Sequence, residues 1–391
     1  MSKYHSHISS AQKITDAYKG EEPFVHFIRK YFAANKKYGS KDRKAIAALC
    51  YNYFRTATAL TQKSKDDQFI LPVFLCEQTP NELLAFFYPE LNEKIGLSVK
   101  EKIALIQIDE QKLFPFHDQL SQELDQRSFS LSFLQQPKLF LRLRPGREQL
   151  VKDKLKDAGI LFEETGTNSL SLKNATSLEE VISINRDAVI QDLSSQHVLD
   201  HLDENRPDLP AGKKIPAWDC CAASGGKSIL LNDKLNGKVQ LTVSDIRKSI
   251  LHNCEKRLQQ ARVDIYRSFV ADLTQKNTEE LPEDFPIIVC DAPCTGSGTW
   301  GRTPEQLFFF KEKTIDEYVR KQQKIAEEAM RHLQPGGLFF YITCSVFAKE
   351  NEQVVEFLQQ QKGIRLLEAK YYKGYEMQAD TMFAAVFSSE Q

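Results

Sequence analysis

Apolar and polar positions divide the chain into three stretches of different periodicity. In EEPFVHFIRKYFAANKKYG (21–39) and SKDRKAIAALCYNYFRTATAL (40–60) apolar residues recur every three to four positions. This spacing predicts amphipathic helices, with Ser40 as the N-cap of the second. Residues 1–130 read as helical throughout. Near Pro137 the pattern changes: KLFLRLRPG predicts a strand, REQLVKDKLKDAGI a helix ending near Gly159, SLSLKNA a strand and SLEEVISI a short helix. From residue 187 onward, strands and helices alternate. AWDCCA, VQLTVSDI, IYRSFVADL, PIIVCDAPC, FFYITCS and MFAAVFS predict strands. ILLNDKL, RKSILHNCEKRLQQARV, KENEQVVEFLQQQ and TIDEYVRKQQKIAEEAMRHLQPGG predict helices, the last stopping at Pro335-Gly336-Gly337. Such alternation implies an α/β fold whose mostly parallel sheet is covered on both faces, with ligands at the carboxyl ends of its strands. The expected division is therefore 1–130, 137–186 and 187–391, more than one core for 391 residues.

Overall charge is nearly balanced, at −1, but residues 1–60 carry 11 Lys+Arg against 4 Asp+Glu, a local excess of 11 − 4 = +7. A basic N-terminal region suits contact with a polyanion, and a solvated helical surface explains it equally well. No apolar run reaches the roughly 18 residues of a membrane span, and MSKYHSHISSAQKITDAYKG lacks the apolar core of a secretory leader. A cytoplasmic, monomeric protein without membrane contact is expected. Its eight cysteines are then reduced thiols. Cys220/Cys221 and Cys290/Cys294 are not CxxC pairs and have no neighbouring His at ligand spacing, so no metal is expected.

Candidate chemistry gathers at the predicted strand ends. After the first strand comes Asp219-Cys220-Cys221-Ala222-Ala223-Ser224-Gly225-Gly226-Lys227. Its small residues let a ligand approach the backbone, and the following helix N-terminus favours a carboxylate. A phosphate loop is a poor match, since Cys221 stands where that motif needs Gly. Asp245, Asp272 and Asp291 end the next three strands. Three carboxylates along one binding edge favour a nucleoside-containing cofactor, with Asp245 placed to accept ribose hydroxyls. Cys294, in DAPCTGSGT, and Cys344, in ITCS, follow adjacent strands, whereas Cys50, Cys76, Cys254 and Cys290 read as packed thiols. Two thiols, a carboxylate and such a cofactor suit methylation at carbon 5 of cytosine. A thiolate adds to carbon 6, a carboxyl assists at ring nitrogen 3, and carbon 5 becomes nucleophilic. Lys227 would favour the thiolate. Chemistry alone leaves open which cysteine attacks, since DNA cytosine methyltransferases use the one that follows Pro.

DAPCTGSGTWGRTPE, ITCSVFAKENE and CAASGGK resemble the DAPCSGTG, STCS…ENE and CAAPGGK patterns of the RsmB/Sun-like cytosine-5 RNA methyltransferases, over residues 137–391. AVIQDLSSQ resembles the lead-in helix of that family. The resemblance implies a Rossmann-like S-adenosylmethionine-dependent domain preceded by a small α+β, RRM-like unit. GSKDRKAIAALCYNYFR and its neighbours resemble the all-α NusB-like RNA-binding domain of many bacterial members. It further implies that Cys344 attacks, Cys294 aids product release and Asp291 binds the cytosine edge. Cys221 through Lys227, Asp245, Arg247, Asp272 and Asp291 would hold S-adenosyl-L-methionine. Two positions depart from the pattern: Ser224 stands for Pro, and Ile342 for Ser. Both bear on loop stiffness and remove no reacting group. The expected substrate is rRNA of the 16S type. The alternatives are tRNA, with the same catalytic motifs, and a vestigial RNA-binding assembly factor, against which the intact cysteines and glycine loop argue.

Overall fold

The structure, a computed structural model, describes residues 2–205, 213–275 and 284–390. Two compact units emerge. One holds the residues up to Leu120, Asp125–Pro137 and Thr299–Glu312; the other holds Ser121–Leu124, Lys138–Gly298 and Lys313–Gln391.

The first unit is helical. Helices Lys3–Ala17, Phe24–Ala34, Ser40–Thr56 and Asp67–Cys76 bury Ile8, Ile14, Phe24, Ile28, Leu49, Phe54 and Phe74 in one core, as their 3.6-residue apolar spacing requires. Ser40 is the first helical residue rather than the cap. Gly39 takes that place in extended conformation, and its N–H donates to Asp42 at 3.3 Å. The late segment is a structural part of this unit. Helix Pro304–Phe309 brings Phe309 to 5.3 Å from the Tyr18 ring, and Glu305 accepts from the Phe24 N–H at 3.3 Å. Glu305 thereby caps a helix whose N-cap, Pro23, offers no side-chain acceptor.

The second unit contains two sheets. Strands β1 (Leu139–Leu143), β2 (Phe162–Gly166), β3 (Ser169–Leu172) and β4 (Ala188–Ile190) form a small antiparallel sheet in the order β2-β3-β1-β4. Val151 and Leu155, on the helix Glu148–Asp157, pack on Leu141, Leu143, Leu170 and Leu172. Because β4 pairs with β1, this sheet closes beyond residue 186. SLEEVISI is not a helix: Leu178 and Ile182 are both buried, but one turn, in which Leu178 O accepts from Val181 and Ile182, already satisfies that spacing. Strand β2 escapes a hydrophobicity reading because it is a polar edge strand with Glu163 and Glu164 exposed.

The larger sheet comprises β5 (Ile215–Asp219), β6 (Val239–Asp245), β7 (Ile265–Val270), β8 (Phe285–Asp291), β9 (Leu333–Thr343), β10 (Ile364–Lys373) and β11 (Thr381–Ser389). The order is β10-β11-β9-β8-β5-β6-β7, parallel from β9 to β7, with β11 antiparallel to both neighbours. Central strands carry continuous apolar runs, Ile287–Cys290 and Phe339–Ile342 being fully buried, as a sheet covered on both faces demands. The order reverses between β5 and β8, so a crevice is expected at their carboxyl ends. The helix Thr314–Met330 ends before Pro335, and β9 already begins at Leu333. Pro335-Gly336-Gly337 lies within the strand as a bulge, where the partner register jumps from Phe285–Leu333 to Ile287–Leu338. Gly337 is required there, since a Cβ would stand 2.8 Å from Gln334 O. Among the described residues no helix is long and apolar enough to cross a membrane.

Candidate active site

The two cysteines singled out from the sequence meet: Cys294 Sγ and Cys344 Sγ lie 3.4 Å apart, beyond the ends of the paired strands β8 and β9. Their loops are held by a buried carboxylate. Glu350 accepts from Thr295 N at 2.9 Å, Thr295 Oγ1 at 2.5 Å, Gln322 Nε2 at 2.9 Å and the Ser345 hydroxyl. Asn351 adds a second tie, donating to Ser345 O and to Tyr371 Oη, both at 2.8 Å. Ser297 accepts from Val346 N at 2.9 Å, and Gly298 N donates to Cys344 O at 2.8 Å. Gly298 cannot carry a side chain, because a Cβ would sit 2.1 Å from Thr381 O. The Cys294 thiol is pushed well above its ordinary value, first by its hydrogen bond with Cys344 and then by burial. It therefore keeps its proton beside the second sulfur.

Lys227 and Asp291 form an ion pair at 2.8 Å, mostly shielded from water. Burial works against the Lys227 charge, yet the carboxylate of Asp291 outweighs it and raises the ammonium. Beneath them Asp219, at the end of β5, is 1% exposed. It accepts from Ser228 Oγ at 2.5 Å on one oxygen, while the other, Oδ1, has no partner. Burial pushes this carboxyl up to about 7 despite the serine.

The glycine loop turns between β5 and the helix Gly226–Lys234. Ala223 (φ 45°) and Gly225 (φ 80°) occupy left-handed backbone, and a Cβ on Gly225 would come within 3.0 Å of Cys254 Sγ. Ser224, in place of the usual proline, is held instead by Arg257, whose Nη1 donates to its Oγ at 3.0 Å and its O at 3.3 Å. Asp245, ending β6, accepts from Ala223 N at 3.1 Å and from Arg247 N at 2.9 Å, so one carboxylate ties loop to strand. Arg247 also reaches it through Nε at 3.2 Å. Asp272 departs from expectation: β7 ends at Val270, and the Asp272 carboxylate turns locally onto Thr274 N at 2.9 Å and Thr274 Oγ1 at 2.6 Å, exposed to solvent. It serves there as the cap of a turn.

The donor set fits an adenosyl cofactor. Asp245 would accept ribose hydroxyls in place of the Arg247 guanidinium, whose Nε and Nη2 occupy its two oxygens at 3.2 and 3.4 Å, and Ala222, Ala223, Gly225 and Gly226 bring small residues to the turn that opens the helix Gly226–Lys234. Sequence spacing alone overlooked Glu350, Asn351, Gln322 and Asp219, although Glu350 and Asn351 stand in the ENE motif. It also treated Cys290 as an isolated packed thiol. The structure brings Cys220, Cys221 and Cys290 together, every sulfur within 4.8 Å of the others. Hydrogen bonds from Cys220 and Cys221 lower Cys290 to about 6, and burial drives Cys220 well up.

Sheet order, glycine loop and acidic strand ends together define an S-adenosylmethionine-dependent methyltransferase domain. Residues 210–387 match the family model described as 16S rRNA methyltransferase RsmB/F. Ribosomal RNA small subunit methyltransferase B of Xanthomonas campestris pv. campestris is 32% identical over 175 residues, 44% of this chain. The match spans only 38% of that relative's own length. Two solved structures share the fold. The crystal structure of PH0851 has a TM-score of 0.70 and 17% identity, covering 100% of this chain and 98% of that one. NSun6 from Pyrococcus horikoshii, solved with SFG, has a TM-score of 0.57 and 17% identity, covering 69% and 96%.

Proposed function

We propose that the protein methylates carbon 5 of a cytosine in RNA, with small-subunit rRNA as the substrate class and Cys344 as the nucleophile. The observation that carries this reading is the thiol pair at 3.4 Å, beside the Lys227–Asp291 pair at 2.8 Å and next to a loop suited to an adenosyl group. The names of the curated relatives support rRNA. The basic stretch in residues 1–60 suits phosphate contacts, and the helical unit is read as NusB-like.

S-adenosyl-L-methionine, when bound, supplies an electrophilic methyl group. Ala222, Ala223, Ser224, Gly225 and Gly226 would line it and Asp245 would take the ribose. Cys221 and Arg247 would act through the position of that loop, and Asp272 by capping the turn beyond β7. Cys344 Sγ bonds to carbon 6 of the cytosine, and the double-bond electron pair moves to carbon 5, which takes the methyl group. Lys227 and Asp291 hold a proton and a carboxylate where ring nitrogen 3 and the exocyclic amine of the base need them as charge develops. Once Cys344 is a thioether, its sulfur no longer raises Cys294. Cys294 therefore becomes more acidic at the stage when a base must remove the carbon 5 proton. The carbon 6–sulfur bond then breaks and the product leaves.

The test separates the cysteines by where the reaction stops. Cys344→Ser should abolish both methylation and covalent adduct, because a serine hydroxyl is hardly ionised near neutral pH. Cys294→Ala should still attack and transfer methyl, then accumulate a protein–RNA complex that survives denaturing electrophoresis. Adducts trapped in Cys344→Ser and absent from Cys294→Ala would reverse the roles. A wild-type protein that leaves small-subunit rRNA unmodified while methylating tRNA would move the substrate class.

A further inference from the structure

We propose that Cys220, Cys221 and Cys290 form a three-sulfur site for a soft monovalent metal ion of the copper(I) type, distinct from the Cys294–Cys344 pair. Two of the sulfurs are set by the sheet. Asp219 and Val289 are register partners between β5 and β8, and Cys220 N donates to Val289 O at 3.0 Å. This fixes Cys220 alongside Cys290, and both are buried, at 2% and 0% exposure. Cys221 enters from the loop and is partly exposed, which gives an ion a way in.

The spacing suits a metal. At a metal–thiolate distance of about 2.3 Å, three sulfurs around one ion in a plane stand about 4 Å apart, by simple trigonometry. The observed triangle, with no edge above 4.8 Å, needs only a slight contraction. Zinc in a closed site asks for four ligands, and among the described residues this group supplies three. Thiolates without nitrogen or oxygen partners select soft ions, copper(I) foremost. Packing alone accounts for one buried cysteine as a small apolar filler. It gives no reason for three sulfurs from two strand ends to converge on one point.

The experiment uses the full-length chain with Cys294 and Cys344 both changed to Ser, kept reduced and free of oxygen. Copper(I) is titrated against a chromophoric chelator. One equivalent should be retained, and X-ray absorption at the copper edge should show three sulfurs at about 2.3 Å. Cys290→Val or Cys220→Ala in that background should weaken binding by more than about 100-fold, since a direct ligand outweighs the outer-shell partners that account for 10–100-fold. Copper retained equally by these variants, or a two-sulfur shell, would overturn the proposal. A second measurement requires no variant. In the unmodified chain, one equivalent of copper(I) should shield Cys221 from iodoacetamide, read by mass spectrometry at that peptide. Alkylation of Cys221 at an unchanged rate would also defeat the assignment.

Discussion

Glu350 is the residue through which the geometry of the thiol pair is most exposed to test. It touches neither sulfur, yet it joins the Cys294 loop through Thr295 and Gln322 to the Cys344 loop through Ser345. In Glu350→Ala, three hydroxyls can partly reconnect, since Ser297 Oγ lies 3.2 Å from both Thr295 Oγ1 and Ser345 Oγ. Gln322 Nε2 keeps its bond to Pro293 O at 3.0 Å. Thr295 N is left buried without an acceptor, at about 1–3 kcal/mol, and the lost side chain leaves a cavity worth a similar amount. Relief of a buried charge offsets part of this, so a net loss of about 2–4 kcal/mol is expected. Glu350→Gln keeps one accepting oxygen and offers its amide to the two hydroxyls, so stability should change by less than about 1 kcal/mol. It still replaces charge-assisted contacts by neutral ones, and the expected fall in kcat is roughly 10–100-fold with KM little changed, that is about 1.4–2.7 kcal/mol. Burial outweighs the contacts and raises the Glu350 carboxyl. The folded chain thus binds the proton more tightly than the unfolded one, and this residue's contribution declines as pH rises past the unfolded value. Glu350→Gln should accordingly gain on wild type as pH rises past the ordinary glutamate value of about 4.5. Single-turnover methyl transfer, adduct yield in a Cys294→Ala background and urea melts at two pH values read these outcomes. Wild-type kcat and adduct yield in both variants would refute the positioning role.

Three further outcomes follow from the same geometry. Asp245→Ala should weaken S-adenosylmethionine binding by about 1.5–3 kcal/mol, the worth of a hydrogen bond to a charged group; unchanged affinity by calorimetry would mean that the ribose lies elsewhere. Asp219, held up to about 7 by burial, binds its proton in the folded state across a window where the unfolded carboxyl has lost it, so its contribution should fall as pH rises from about 4 to 7. Urea melts should show Asp219→Asn gaining on wild type over that window by an amount on the order of 1–4 kcal/mol, and a constant difference would contradict the assigned burial. Gly298→Ala, driving a Cβ to 2.1 Å from Thr381 O, should lower the unfolding midpoint by an amount equivalent to about 1–3 kcal/mol; an unaltered midpoint would show that the loop yields freely.

What sequence pattern could reach, and what it could not, follows the physics of each element. Strands β5, β6, β8 and β9 were legible because burial on both faces forces continuous apolar runs, and the strand-end motifs told which edge carries the chemistry. Strand β2 was not legible, since a polar edge strand has little apolar alternation. The bulge at Pro335–Gly337 read as a helix terminator because Pro-Gly-Gly commonly ends helices, and only the register with β8 shows it inside a strand. Cys294 and Cys344 could be paired from their motifs. Glu350 could not, because its role depends on the fourfold convergence of donors around one buried carboxylate. Cys220, Cys221 and Cys290 lack any recognisable spacing along the chain, since the parallel pairing of β5 with β8 is what brings them together.

The contribution of Thr299–Glu312 to the helical unit carries a consequence for synthesis. Tyr18, Phe24 and Phe54 are made early, but Phe309 and the Glu305 cap that complete their surroundings are not. Between Pro137 and Thr299 the ribosome must add about 160 residues, which at 5–20 residues per second takes roughly 8–30 s. For that interval the N-terminal helices leave the ribosome with an aromatic surface still waiting for its cover, a natural point for a chaperone to engage. The same arrangement means that a gene fusion which exchanges residues 1–137 alone would separate Tyr18 from Phe309. Any recombination that keeps the helical unit whole must carry two pieces of DNA, the second of them starting immediately after the loop of Cys294.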